Sequence, residues 1–371
     1  MRLSFATRPP LLACLIVLLL PATGHGFGST PLNISIGIGK ERPNGASAQP
    51  AVSGDNRKVR LVAYSSNASN LVRGDTNNVS DVFVWRRPAH NDFPRRLRVG
   101  KLSRVSVSAR GDQANGPSSS PSVDGSLHSN PHCVAFQSNA TNLARRDALP
   151  DSDIYLRDLR NRRTRLISVG VRGEASDPSV SGNCRSVVFV AGGKIYRARV
   201  GGGRPRLIGR GSDPALSRDS KSLAYVRDGR VVYRRGSYRK LLTAGSNPRV
   251  SDKSPSHGWG VAYDHQGDIK LAVINNGRRS VHTAVENGKL GGVTSRVANI
   301  GIIVWTRGRT LFFLNRHTGR SNDLATAYGT ITEVAISARS NLIAFAAPGG
   351  AGFLDRDANR MPSIYVKWLP K

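Results

Sequence analysis

SSPSVDGSLHSNPHCVAFQSNATNLARRDALPDSDIYLRDLRNRRTRLISV, from Ser119 to Val169, holds four short apolar pieces. They are Ser122-Val123, Val134-Ala135-Phe136, Ile154-Tyr155-Leu156 and Leu166-Ile167-Ser168-Val169, each set off by Gly, Pro, Asn or Asp. Pieces this short, rich in β-branched and aromatic residues, read as strands rather than helices. The stretch therefore predicts a four-stranded antiparallel meander.

The same phrase recurs along the chain. Unit starts read Gln49-Pro50-Ala51-Val52, Ser120-Pro121-Ser122-Val123, Asp177-Pro178-Ser179-Val180, Asp213-Pro214-Ala215-Leu216 and Asn247-Pro248-Arg249-Val250. Weaker copies stand at Thr294-Ser295-Arg296-Val297 and Glu333-Val334-Ala335-Ile336, so units are expected to begin near 50, 121, 178, 214, 248, 295 and 334. After each start comes an aliphatic, small, aromatic triplet such as Val62-Ala63-Tyr64, Val134-Ala135-Phe136 or Ile343-Ala344-Phe345. A large ring alternating with a small residue is what facing sheets need in order to interdigitate.

Fourth strands follow six of the units, but the seventh ends after Ile364-Tyr365-Val366. A segment with fourth-strand character, Leu32 to Ile38, instead precedes the first unit. A spare strand at one end and a missing one at the other imply a ring closed by the two termini. The expected fold is all-β: a seven-bladed β-propeller over 32–371 whose N-terminal strand completes the last blade. A two-sheet sandwich would leave both the sevenfold phase and the complementary ends unexplained.

The first 27 residues read as a signal peptide. Arg2 and Arg8 give a basic start, Leu11 to Leu20 an apolar run, and Pro21 to Gly26 a small, polar exit. The run is too short to span a bilayer comfortably, so cleavage without lasting membrane insertion is expected, with the product periplasmic, wall-associated or extracellular. Two cysteines then remain, Cys133 and Cys184, near equivalent strands of successive units. They are candidates for a structural disulfide, or else two separately buried thiols. The formal net charge is +31, carried by 44 Arg and 11 Lys scattered over nearly every repeat. Scatter suits solvated loops and strand edges, although so basic a protein should adhere weakly to polyanions.

The phrases SSPSVDG, SDPALSRDSKSLAY, CVAFQSNATNLARRD, DIYLRDL and VFVAGGKIYRA resemble the PD40, or WD40-like, repeats of bacterial TolB-type propellers. The resemblance runs from about Leu32 to Lys371 and fades between Ser251 and Thr330. It implies the propeller fold and leaves activity open, because propellers host many functions. The expected N-terminal α/β domain of TolB has no counterpart between signal and repeats, which argues against a TolB role as such. No hydrolase domain follows the repeats, unlike the prolyl peptidases whose propellers they also resemble.

Catalytic signatures are absent: there is no HExxH, GxSxG or P-loop, and Ser237-Tyr238-Arg239-Lys240 matches SxxK without its companion motifs. His128 and His132 read as loop residues with no acidic partner nearby in sequence. The patterned feature is a long loop between second and third strands in units one, two and seven, which ring closure makes neighbours. Its candidate binding residues are Asp75, Asn77 and Asp81, then Asp147 and Asp153, then Asp357 and Asn359. Oxygens at alternate positions could serve Ca²⁺, but they serve Asx turns equally well, and no EF-hand pattern is present. No cofactor is therefore expected, Ca²⁺ being the one alternative.

The reading favoured by the sequence is an exported, monomeric, noncatalytic propeller that binds a cell-envelope protein or polymer. The rivals are an enzyme with a channel-lined hydrolase or lyase site and an electrostatic adhesin for anionic wall polymer.

Overall fold

The computed structural model describes residues 31–54, 60–87, 100–126, 129–145, 151–252, 259–275, 278–293, 301–316, 318–337, 342–348 and 361–369. The expected signal peptide lies outside them. No helix among the described residues is long and apolar enough to cross a membrane.

The short β-rich pieces pair as seven antiparallel sheets of four strands. Blade 1 is Ser47–Val52, Leu61–Ser66, Asp81–Arg86 and Lys101–Arg104, from the innermost strand outward. Blade 2 is Ser118–Val123, Cys133–Ser138, Asp153–Asp158 and Arg163–Leu166. Blades 3, 4 and 5 begin at Ala175–Val180, Ser212–Leu216 and Ser246–Val250, each followed by its own three strands. Blade 6 departs from expectation. Its innermost strand is Lys289–Val293, upstream of the expected start at Thr294, and 294–300 lie outside the described residues. The strand lacks the Pro that marks the starts of blades 1 to 5 and carries Gly291 and Gly292. A Cβ on either would meet Val334 or Ile336 of blade 7 within 3.0 Å, so the chain there is held close by small size.

Blade 7 consists of Glu333–Ile336, Leu342–Pro348, Pro362–Trp368 and, as its outermost strand, Leu32–Asn33 from the other end of the chain. Leu32 pairs with Val366 and Asn33 with Tyr365, and Ile34 N donates to Ile364 O at 2.9 Å. The regular strand is only two residues long, shorter than the expected Leu32 to Ile38, because the chain turns into a 3₁₀ segment at Ile38–Lys40. Ser35 continues the closure by side chain: its Oγ accepts Ile364 N at 2.9 Å. Ser106 and Ser168 do the same for Val82 and Ile154 in blades 1 and 2, each at 3.0 Å. The closing strand thus repeats a bond made elsewhere by ordinary outermost strands.

Seven apolar clusters hold the blades together, each shared by two consecutive blades, including blade 7 with blade 1. The aliphatic, small, aromatic triplet is explained by them. Successive residues of a strand face opposite sides of the sheet. The aromatic of one blade therefore lies in the cluster that holds the small residue of the blade before it: Tyr64 with Ala344, Phe136 with Ala63, Phe189 with Ala135, Tyr263 with Ala224.

Candidate functional site

The innermost strands line a central channel. In blades 1 to 5 the residue before the recurring Pro takes a left-handed backbone, with φ of 55° at Gln49, 51° at Ser120, 52° at Asp177, and 49° at Asp213 and Asn247. A register shift accompanies each, since proline cannot donate to the ladder and the strand bulges around it. The bulge turns these side chains toward the channel mouth. Gln49, Ser120, Asp177, Asp213, Asn247 and Glu333, from six blades, ring an opening of about 410 Å³.

The mouth is internally wired on one side. Ser120 N donates to Gln49 Oε1 at 2.8 Å, and Gln49 N donates to Glu333 Oε2. On the other side Asn247 Nδ2 donates to Asp264 Oδ2 at 2.9 Å and to Leu290 O at 2.8 Å. Asp177 is pushed above the ordinary carboxylate range, chiefly by burial and further by the charge of Asp213. Arg249, also at the mouth, is pushed down by burial. Below the mouth the lining turns apolar, with Pro50, Val52, Pro121, Val123, Val180 and Leu216.

A side chain bridges the far end. Arg218 of blade 4 reaches across it, donating from Nη2 to Val52 O of blade 1 at 3.1 Å and from Nη1 to Val123 O of blade 2 at 2.5 Å. Gly54 makes room for it: a Cβ there would stand 2.8 Å from Arg218 Nε. The channel is thus polar at its mouth, apolar along its walls and bridged at its other end by Arg218.

The loop residues singled out from sequence fall differently. Asp81 is fully buried and Asp75 nearly so, with side chains 0% and 4% exposed. Between them sits Arg104, its Nη2 3.2 Å from Asp75 Oδ1 and its Nε 3.5 Å from Asp81 Oδ2. Asn77 Nδ2 donates to Asp81 Oδ2 at 3.0 Å and to Ala114 O at 2.9 Å. The cation these oxygens gather around is therefore a guanidinium of the chain itself. Burial raises both carboxyls, while Arg104 and, for Asp81, the Ser106 hydroxyl pull them back. Asp153 occupies the equivalent place in blade 2, where it accepts from the Ser168 hydroxyl. In blade 7 the place is held by Ser363, which is buried. Asp147, Asp357 and Asn359 lie outside the described residues.

Cys133 and Cys184 are joined as a disulfide between blades 2 and 3, with Cα atoms 6.0 Å apart. His132, expected to have no acidic neighbour, stands with Nδ1 3.2 Å from Asp124 Oδ2. The two stand eight positions apart in sequence, and only the meander folds them together. A signal was nonetheless present: Asp124 replaces the Ser found after the innermost strand at Ser53, Ser181, Ser217, Ser251 and Ser337.

No protein-family model matches the chain, and no curated protein sequence matches it. Among solved structures, a chain of the Mitotic Checkpoint Complex is 13% identical with a TM-score of 0.55, covering 98% of each chain. The Cps50 (Swd1) β-propeller domain of Myceliophteria thermophila is 10% identical with a TM-score of 0.55, covering 93% of this chain and all of that one. In fold this is a WD40-like β-propeller. TolB from Acinetobacter baumannii is 18% identical with a TM-score of 0.41, and this propeller spans 56% of its length. The outer rim of blades 3 to 5 is basic, with Arg206, Arg210, Arg239, Lys240, Arg278 and Arg279 exposed on outermost strands.

Proposed function

We propose that this propeller is an exported, noncatalytic binding module that takes a protein of the cell envelope at the open mouth of its ring. The observation that carries the reading is the asymmetry of the channel. Arg218 bridges one end, while six blades bring side chains of mixed hydrogen-bonding character to the other. A rigid mouth with carboxylate, amide and hydroxyl groups above apolar walls suits a protein loop, which offers backbone donors and acceptors around an apolar tip. The long loop of blade 1 emerges on the same face, since the second strand ends where the innermost one starts. Export is supported by the basic start and apolar run at Leu11 to Leu20.

The test is affinity capture from envelope extract with signal-free protein, at about 0.15 M and about 1 M salt, which differ severalfold in screening length. A discrete protein retained in high salt and lost with Asp177→Asn and Asp213→Asn supports the module. Recovery of polyanions alone, all released by salt, overturns it in favour of electrostatic adhesion to wall polymer. An enzyme reading would rest on the same Asp177 and Asp213, adjacent at the mouth, with Asp177 raised toward general-acid use. Turnover abolished by Asp177→Asn while capture is unaffected would favour it.

A further inference from the structure

At the end of the innermost strand, a buried serine performs one task in blade after blade. Ser53, Ser217 and Ser251 accept the N–H of Leu61, Ser222 and Gly260 at 3.2, 2.9 and 2.9 Å. Ser181 accepts two, from Arg185 at 3.2 Å and Ser186 at 3.0 Å. In blade 2 Asp124 stands in this place, and its Oδ1 alone does the same work, accepting His132 N at 2.9 Å and Cys133 N at 3.0 Å. Among the described residues the other oxygen has no such task. Oδ2 is buried, has no hydrogen-bond partner among the described residues, and lies 3.2 Å from His132 Nδ1.

That spare oxygen faces the disulfide. One carboxylate oxygen of Asp124, one ring nitrogen of His132 and the sulfurs of Cys133 and Cys184 all lie within 4.8 Å of one another. Tetrahedral Zn²⁺, with bonds of about 2.0–2.3 Å, places its donors roughly 3.3–3.8 Å apart. The four donors need only small side-chain movements to reach that spacing once the sulfurs are no longer bonded to each other. A disulfide by itself calls for neither a buried carboxylate nor an imidazole beside it.

We propose that reduction of the Cys133–Cys184 disulfide opens a tetrahedral Zn²⁺ site, whose ligands are the two thiolates, a His132 ring nitrogen and Asp124 Oδ2. A dithiol reductant supplies two electrons and two protons to the sulfur–sulfur bond and closes its own disulfide. Zn²⁺ then displaces the two thiol protons to solvent. Two thiolates, a carboxylate and the ion sum to one negative charge, and in the adjoining depression four Arg and Lys221 outnumber the acids Asp158 and Asp219. Those bases favour the loaded site. His132, with a side chain 24% exposed, provides the route by which an ion enters. The bistable element is the corner joining blades 2 and 3: oxidised it is a covalent staple, reduced and loaded it is a metal staple. The requirement for soft and borderline donors selects Zn²⁺ over the hard cations Ca²⁺ and Mg²⁺.

The experiment uses the full signal-free chain, reduced with a phosphine that delivers the same two electrons, and Co²⁺ as a spectroscopic stand-in. Reduced protein should take up one Co²⁺ with thiolate charge-transfer and tetrahedral d–d absorption, and equimolar Zn²⁺ should erase both. Oxidised protein should give neither. Asp124→Ser, which installs the residue used in the other blades, and His132→Ala should each weaken binding by at least about tenfold. Absence of the thiolate band in reduced wild type, or unchanged affinity in both variants, overturns the site. A second readout covers loss of fold on reduction: Zn²⁺ should raise the denaturation midpoint of reduced wild type but not of reduced Asp124→Ser. Equal midpoints with and without Zn²⁺ in reduced wild type also overturn it.

Discussion

Replacing Asp124 by Ser should stabilise the oxidised protein, by an amount set by pH. Burial pushes the Asp124 carboxyl from 3.8 up to about 6, against the pull of two backbone N–H groups, His132 and Arg218. The fold therefore prefers this group uncharged. In the unfolded chain it ionises near its ordinary value, so the wild type loses stability as pH rises from about 4 to about 6, and the loss is complete above that window. Each pH unit of displacement corresponds to about 1.4 kcal/mol, which makes the full penalty about 3 kcal/mol at neutral pH. Asp124 is 0% exposed, so solvent screening does little to reduce it. Serine removes the charge without removing a bond, as Ser181 shows by accepting the same two N–H groups in blade 3. Urea unfolding of both proteins, disulfide intact, at about pH 4 and about pH 7.5 measures the difference. Stabilities should nearly coincide at the lower pH and differ by about 3 kcal/mol in favour of Asp124→Ser at the higher. A variant no more stable than wild type at pH 7.5, or one whose gain is equal at both pH values, would refute the reasoning.

Four further outcomes follow from the same packing. Phe136→Ala empties the place beside Ala63 in the cluster between blades 1 and 2, and chemical denaturation should show a loss of about 3–5 kcal/mol. Deleting residues 32–38 removes the outermost strand of blade 7 and the Ser35 bond to Ile364, and should cripple folding. An unchanged thermal melt for that deletion would sink ring closure by the N-terminal strand. Arg104→Met leaves Asp75 and Asp81 without their guanidinium and should destabilise by about 3 kcal/mol at neutral pH. Both carboxyls already sit above their ordinary values, so the loss should shrink as acid protonates them, and an equal loss at about pH 4 and pH 7.5 would count against this account. Because Arg104 occupies the space between those carboxylates, added Ca²⁺ should leave the melting temperature unmoved.

The blade count, the strand order and the ring's closure were legible in the sequence because each depends on local periodicity. Strand, turn and triplet repeat with residues that act within one sheet or on the next, so Val62-Ala63-Tyr64 means the same thing wherever its copy stands. Blade 6 begins a few residues upstream of its expected start, since Lys289–Val293 has two glycines and no proline of the kind that marks blades 1 to 5, and only contact with Val334 and Ile336 explains them. The loop acids were legible as a pattern but not as a role. Whether Asp75 and Asp81 face solvent or a buried arginine depends on Arg104, which lies on another strand.

By itself, then, the sequence determined the repeat and everything that follows from bonding along a sheet. Tertiary structure alone decided what meets across the ring. Arg218 caps carbonyls 95 and 166 positions away, and the carboxylates of three blades share one mouth. Asp124, His132 and the two cysteines converge at the junction of two blades. The physical reason is range: backbone hydrogen bonds and alternating side chains are written in neighbouring residues. Charge pairing and donor clustering depend on distances that exist only once the seven sheets have closed.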